Sequence, residues 1–198
     1  VHIADVNALY DLAKEVPDKA LVLAEKFWPG PLTMILKKKD KVPDSITGGL
    51  GTVAIRMPSH PVAAELIRSS GVYIAAPSAN TSGRPSPTLA KHVKEDLDGK
   101  IDMIIDGGEV GIGFESTIVD VTEEIPVILR PGFITQKMLQ EIVGEVQMDP
   151  ALMQVSGDQK PKAPGMKYRH YAPKADMTLY QGDTEDVIAH INREVVAY

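Results

Sequence analysis

Cysteine is absent from the 198 residues. That excludes a disulfide framework and any thiolate metal site, and it fits a cytoplasmic protein. No apolar run is long enough to cross a bilayer. No basic segment precedes an apolar one at Val1, so the chain does not open on a secretory signal. It does not open on Met either, and from this a preceding N-terminal stretch is expected to be missing. Histidine is sparse: His2, His60, His92, His170 and His190 are scattered with no HxxxH or HExxH spacing, so no zinc site is expected. The formal net charge is −6. A general nucleic-acid-coating surface does not fit that charge, although a local basic patch remains compatible with it. No internal repeat is visible, and no Ser/His/Asp arrangement can be argued from spacing.

What is present is an ordinary globular composition, 43% hydrophobic and 24% charged. The length suffices for one sizeable core, or one domain and part of another. Asp5 can cap a helix running to about Val16, with Leu9, Leu12, Ala13 and Val16 on one face. Pro17-Asp18 opens a second helix, which Pro29-Gly30-Pro31 stops after Trp28. Residues 32–37, 53–57, 72–75, 101–105, 117–121 and 127–129 read as strands. Pro61 opens a helix that ends at Gly71. Thr88 and Thr135 can cap helices reaching about Leu97 and Val143. Alternating strands and helices predict an α/β sheet covered by helices, and the irregular order predicts a mixed sheet. From 144 to 176 the pattern dissolves into a Pro-, Gly-, Lys- and Gln-rich stretch, read as a linker. Residues 177–180 then read as a strand and 183–196 as a helix, a β–α unit that begins a second domain without completing it.

Three polar segments follow or separate the apolar strands, where an open α/β sheet tends to hold ligands. The first, APSANTSGRPSPT (76–88), carries Ser78, Asn80, Ser82, Arg84 and Ser86. The second, GEVGIGFEST (108–117), offers glycines that let backbone amides approach a ligand, with Ser116 and Thr117 adding hydroxyls. In the third, LRPG (129–132), Arg130 leaves a strand before a turn. Arg56 interrupts the strand pattern of VAIRMP, where a buried guanidinium needs an anionic partner. Two arginines, hydroxyls and free amides suit a polyanion. The plainer readings stand beside this one. Such loops are commonly turns, Arg56 could pair with Asp106 or Glu115, Gly111 and Gly113 form a lone GxG, and Glu109, Glu115 and Asp120 could be solvated or salt-bridged. His2, His92 and His190 read as solvated or capping, and Trp28 and the methionines as core.

Five motifs in one order go further: FWPGPLT (27–33), GTVAIRMPSHP (51–61), APSANTSGRPSPT, GFESTIVD (113–120) and ILRPG (128–132). Together they resemble the YrdC/Sua5 family, the threonylcarbamoyl-adenylate synthases of tRNA modification. APGMKYRHYAP (163–173) is similar to the linker of the longer Sua5 type, which leads to a C-terminal Rossmann-like domain. The resemblance implies a YrdC-like twisted mixed sheet flanked by helices over 1–143, a linker or lid over 144–176, and the start of the C-terminal Sua5 domain over 177–198. It implies a nucleotidyltransferase that makes threonylcarbamoyl-AMP and pyrophosphate from L-threonine, bicarbonate and ATP. ATP would enter with Mg²⁺ and no prosthetic group would be needed. The product would pass to a tRNA threonylcarbamoyl transferase, with at most weak contact to tRNA and none to membrane.

Carried over by position, Ser78 and Asn80 fall near the ATP phosphates. Thr52, Ser86 and Arg130 match nucleotide-contacting positions. Arg56, Ser116 and His2 match positions around threonine, and Ala76 a threonine-side position with a backbone or shape role. His170 and Tyr171 match the linker segment that can fold over the nucleotide. On this reading the 76–88 loop is polar because it holds a triphosphate, and its three prolines lower the ordering cost of binding. Two features of the family, a P-T-E-T-like strand and a K-x-R segment, do not precede Val1, so a protein beginning there is expected to be inactive. The competing readings are a carbamoyl-adenylating domain using carbamoyl phosphate and a non-catalytic RNA-binding module.

Overall fold

A computed structural model describes residues 1–152 and 178–196. Helix α1 (Ala8–Leu12) is followed by α2 (Asp18–Phe27), strand β1 (Leu32–Lys37), the short α3 (Asp44–Thr47) and β2 (Thr52–Ile55). Next come α4 (Pro61–Ser70), α5 (Ala90–Leu97), β3 (Thr117–Asp120), β4 (Val127–Arg130), α6 (Gln136–Val143) and β5 (Gln147–Met148). A 3₁₀ turn at Pro150–Leu152 and the helix α7 (Thr184–Val196) complete the described elements.

The strands form one mixed sheet in the order β2-β1-β3-β4-β5. β1 runs antiparallel to β2 and parallel to β3, β4 runs antiparallel to β3, and β5 joins parallel to β4. The mixed sheet expected from the irregular element order is therefore present.

Strand alternation divides the labour of the two faces. Leu32, Met34 and Leu36 of β1, Val53 and Ile55 of β2, Val119 and Ile128 bury one face in the main core. Leu9 and Leu12 of α1, Leu23 of α2 and Leu139 of α6 close over it. The opposite face carries Thr33, Ile35, Ala54 and Ile118, with a smaller cluster of Ile35, Ile118 and Leu129. The first face makes the fold, and the second is left for a site.

Several elements end where the sequence places them. α2 starts after Pro17 and stops at Trp28, whose buried indole Nε1 donates to the Leu32 carbonyl at 2.7 Å. α4 closes on Gly71 at φ 67, the left-handed cap a glycine supplies. Thr135 caps α6 by accepting from the Met138 amide.

Other expectations need correction. α1 ends at Leu12 because Ala13 turns extended and bridges Lys38. α5 takes Leu89, not Thr88, as its cap residue. Residues 72–75 form no strand: Ile74 makes a single bridge to His2, and Val72 and Tyr73 are exposed. Residues 101–105 form none either, and Ile101, Met103 and Ile105 are exposed, so Met103 is not core. β5 lies inside the stretch read as linker, its backbone pairing supplied by β4 where side-chain pattern gave no sign of a strand. Residues 178–180 are not strand. Among the described residues no helix is long and apolar enough to cross a membrane.

Candidate functional site

β2 and β4 run one way and β1 and β3 the other. One end of the sheet thus gathers the C-terminal ends of β2 and β4 and the N-terminal ends of β1 and β3. The site sits there, so it is not confined to carboxyl ends as in a parallel sheet. Val1–Ile3 runs beside the end of β2: the Arg56 amide donates to the Val1 carbonyl and the Ile3 amide to the Arg56 carbonyl, both at 3.0 Å. His2 also exchanges backbone hydrogen bonds with Ile74, which delivers the chain into the 76–88 loop.

A cavity of about 440 Å³ opens at this end. Its floor is the face of the sheet opposite the main core, with Thr33, Ala54 and Ile118, and its walls are the loops carrying Ser78, Ser86, Phe114 and Glu115. Of the residues singled out in the sequence, His2, Arg56, Ala76, Ser78, Ser86, Ser116 and Arg130 all line it. Their separation along the chain is closed by the sheet register, not by local sequence.

Ser116 is the hub. Arg130 donates to the Ser116 carbonyl from Nε at 3.1 Å and Nη2 at 2.8 Å, and to Ser116 Oγ from Nη2 at 2.9 Å. The same Oγ lies 2.9 Å from Thr33 Oγ1 in a buried contact. Glu115 accepts from the Ser86 hydroxyl and stands 3.5 Å from Arg130 Nη2, tying one wall to the other.

Arg56 is held differently. Its Nε donates to the Gly30 carbonyl at 3.1 Å. Among the described residues no carboxylate lies within ion-pair distance of it, so neither Asp106 nor Glu115 is its salt-bridge partner. Burial lowers its pKa, and repulsion from Arg130 adds to that while Glu115 opposes it. Burial likewise lowers the pKa of His2, which is partly buried rather than solvated. Two guanidiniums thus face one cavity, with Glu115 beside Arg130 as the carboxylate between its walls.

Two residues stand elsewhere. Thr52, at the far end of β2 from Arg56, lines a separate recess of about 40 Å³. Asn80 turns into its own loop, where Nδ2 donates to the carbonyls of Thr81 at 3.1 Å and Arg84 at 3.0 Å. His170 and Tyr171 lie outside the described residues. Conversely, Thr33, to which the sequence assigned no role, and Glu115, which it left as solvated or salt-bridged, both belong to the cavity. A polar residue on the odd-numbered face of the apolar run LTMILK was the signal for Thr33.

Fold and site together define an α/β domain with an arginine-lined cavity at one end of a mixed sheet. The chain belongs to the Sua5/YrdC family. Residues 1–132 match the Sua5/YciO/YrdC family model, described as telomere recombination, and residues 134–196 match that of the threonylcarbamoyl-AMP synthase C-terminal domain. A threonylcarbamoyl-AMP synthase of Pyrococcus abyssi is 52% identical over the whole chain, and one of Bacillus subtilis 51% identical over 98% of it. The chain spans 58% and 56% of those relatives' lengths. A crystal structure of P. abyssi Sua5 complexed with L-threonine superposes with a TM-score of 0.91, covering 99% of this chain and 57% of that one. Escherichia coli YciO, 28% identical, gives 0.62 over 68% of this chain and 66% of its own.

Proposed function

We propose that the protein of which this chain forms part is an L-threonylcarbamoyladenylate synthase, and that the cavity at the sheet end is its active site. The observation that carries the reading is the pair Arg56 and Arg130, facing one cavity among the hydroxyls of Ser78, Ser86 and Ser116. The relatives' name and the threonine held by the P. abyssi protein supply the substrate class.

In the proposed reaction the amine of L-threonine attacks the carbon of bicarbonate. Water leaves, and a carbamate forms. A carbamate oxygen then attacks the α-phosphorus of ATP, and the bond to the bridging oxygen breaks to release pyrophosphate. ATP enters as its Mg²⁺ complex. Arg56, fixed by Gly30, receives the carboxylate or the carbamate of threonine, with His2, Ala76 and Ser116 shaping that end. Arg130, with Ser78 and Ser86, faces the phosphates, where positive charge offsets the negative charge developing on the leaving group. The apolar Val110 and Phe114 also line the cavity, and by packing over bound substrate they would limit the access of water to a carbamate and a mixed anhydride that both hydrolyse. The product would be handed to a transferase that installs N6-threonylcarbamoyladenosine in tRNA, in the cytoplasm where ATP and tRNA are available. Asn80 and Thr52 would act on the nucleotide only if substrate brings them nearer, and His170 and Tyr171 would complete the nucleotide side.

Pyrophosphate release by the full-length gene product, with ATP and Mg²⁺ and with threonine or bicarbonate omitted in turn, tests this. Release that requires both co-substrates is expected. Release indifferent to threonine, or none at all, overturns the reading.

A further inference from the structure

The 76–88 loop carries a cation, Arg84, that the cavity does not use. Its guanidinium is ion-paired with the carboxylate of Asp96 on α5, and it does not line the cavity. Asp96 itself is buried, with 8% of its surface exposed, an unusual place for a carboxylate. Its other oxygen accepts from the Thr81 amide at 3.0 Å, and its main-chain carbonyl receives the Thr81 hydroxyl at 3.4 Å and Lys100 Nζ at 3.1 Å.

Both ends of a tight turn are therefore tied to one side chain. The Arg84 amide closes the turn on the Thr81 carbonyl at 3.0 Å, with Gly83 at φ 88 supplying the left-handed step. Asn80 braces the same turn from inside through Nδ2 and leaves its buried Oδ1 without a donor among the described residues. The Asn80 amide then reaches back to the Ser78 carbonyl at 3.0 Å. A chain of contacts runs from Asp96 through Thr81 and Asn80 to Ser78, the first hydroxyl of the loop to line the cavity.

We propose that Asp96 is a positioning residue for the nucleotide half of the site: it fixes the 76–88 loop, and Arg84 serves this anchor instead of contacting phosphate. The proposal rests on the reading of the cavity as an ATP site. It separates the two halves of that site, because Arg56 and Ser116 are carried by the sheet and do not depend on α5.

The test uses the full-length gene product and two measurements. In the first, titration calorimetry with ATP–Mg²⁺ and separately with L-threonine, Asp96→Asn weakens ATP binding by about ten-fold or more while threonine binding stays within about two-fold. Arg84→Ala, at a half-exposed position that leaves the core intact, moves ATP binding the same way by a smaller factor, and Arg84→Lys restores most of it. In the second, hydrogen exchange at the Thr81 amide speeds up in Asp96→Asn. ATP affinity unchanged in both Asp96→Asn and Arg84→Ala overturns the proposal, as does a proportionate loss of ATP and threonine binding, which marks Asp96 as a general support of the fold. If Asp96→Asn does not fold, Arg84→Ala decides alone. Wild-type protein that binds threonine but no ATP sinks the nucleotide reading and this inference with it, whereas wild-type ATP binding with an indifferent Asp96→Asn sinks the inference only.

Discussion

Gly132 lies flat against the backbone of Glu115 and Ser116. A Cβ built on it would stand 2.3 Å from the Glu115 carbonyl oxygen and 2.6 Å from the Thr117 amide nitrogen. The turn after Arg130 is thereby pressed onto the segment that leads through Ser116 into β3, which is how Arg130 reaches the Ser116 carbonyl. Both colliding atoms are main chain and cannot rotate away. Gly132→Ala is expected to destabilise the protein by about 3 kcal/mol, the upper part of the range for overpacking. It should also impair the site. Urea unfolding of the variant beside wild type checks the first effect, and ATP titration the second. A variant of wild-type stability would mean that the turn can move away from Glu115 without cost.

The two arginines should fail differently. Arg56→Ala is expected to weaken threonine binding by about ten- to a hundred-fold, the scale of lost hydrogen bonds to a charged group. ATP binding should change less. Arg130→Lys keeps the charge but not the fork that grips Ser116 through two nitrogens, and is expected to weaken ATP binding by about ten-fold. Steady-state KM values for each substrate in each variant separate the two. The same KM changing in both would show that the cavity is not divided as proposed.

Much of this site was legible as residue types and little of it as geometry. Proline and glycine punctuation placed α2 and α4, and the apolar run placed β1, because these signals are local. Residues 72–75 and 101–105 are apolar enough for strands, yet strand formation depends on a partner edge, and Ile74 finds only His2. β5 shows the reverse, a weak pattern made into a strand by β4. Arg56 was recognisable as a misplaced charge, but its support is a carbonyl at Gly30, and backbone acceptors leave no trace in composition. The Ser86–Glu115 and Arg84–Asp96 contacts join segments whose pairing no spacing rule gives.

Thr33→Val tests the buried hydroxyl pair. The substitution keeps the shape and removes the partner of Ser116 Oγ. A stability loss of about 1 kcal/mol is expected, seen as a fall in Tm of about 2–4 °C for a chain of this size. Loss of substrate affinity should accompany it, since Ser116 is then held by Arg130 alone. An unchanged Tm and an unchanged KM for threonine would remove Thr33 from the site.

His2 gives a pH prediction with a definite sign. Burial lowers its folded-state pKa below the ordinary value, and the Arg56 charge contributes in the same direction. A histidine with a depressed pKa holds fewer protons folded than unfolded over the interval between the two values. Its contribution to stability is thus complete above the unfolded value of about 6.5 and is lost as pH falls through that interval. Denaturant unfolding across pH 5 to 8, wild type against His2→Gln, isolates it. The stability difference between the two should drift toward the variant as the solution is acidified, and a difference independent of pH would show that His2 is not held neutral.

The carbonyl grip on Arg56 has a consequence for how ligand arrives. An arginine tied down by a carboxylate is electrically spent, whereas one tied down by the Gly30 carbonyl keeps its full charge for the solvent to feel. The chain as a whole is acidic, with a net charge of −6. The field of Arg56 is therefore expected to draw an anionic ligand toward this end of the sheet, against the repulsion of the chain's net charge. Encounter rates should accordingly slow as salt shortens the reach of that field, even where the affinity of the settled complex, shielded within the cavity, changes less.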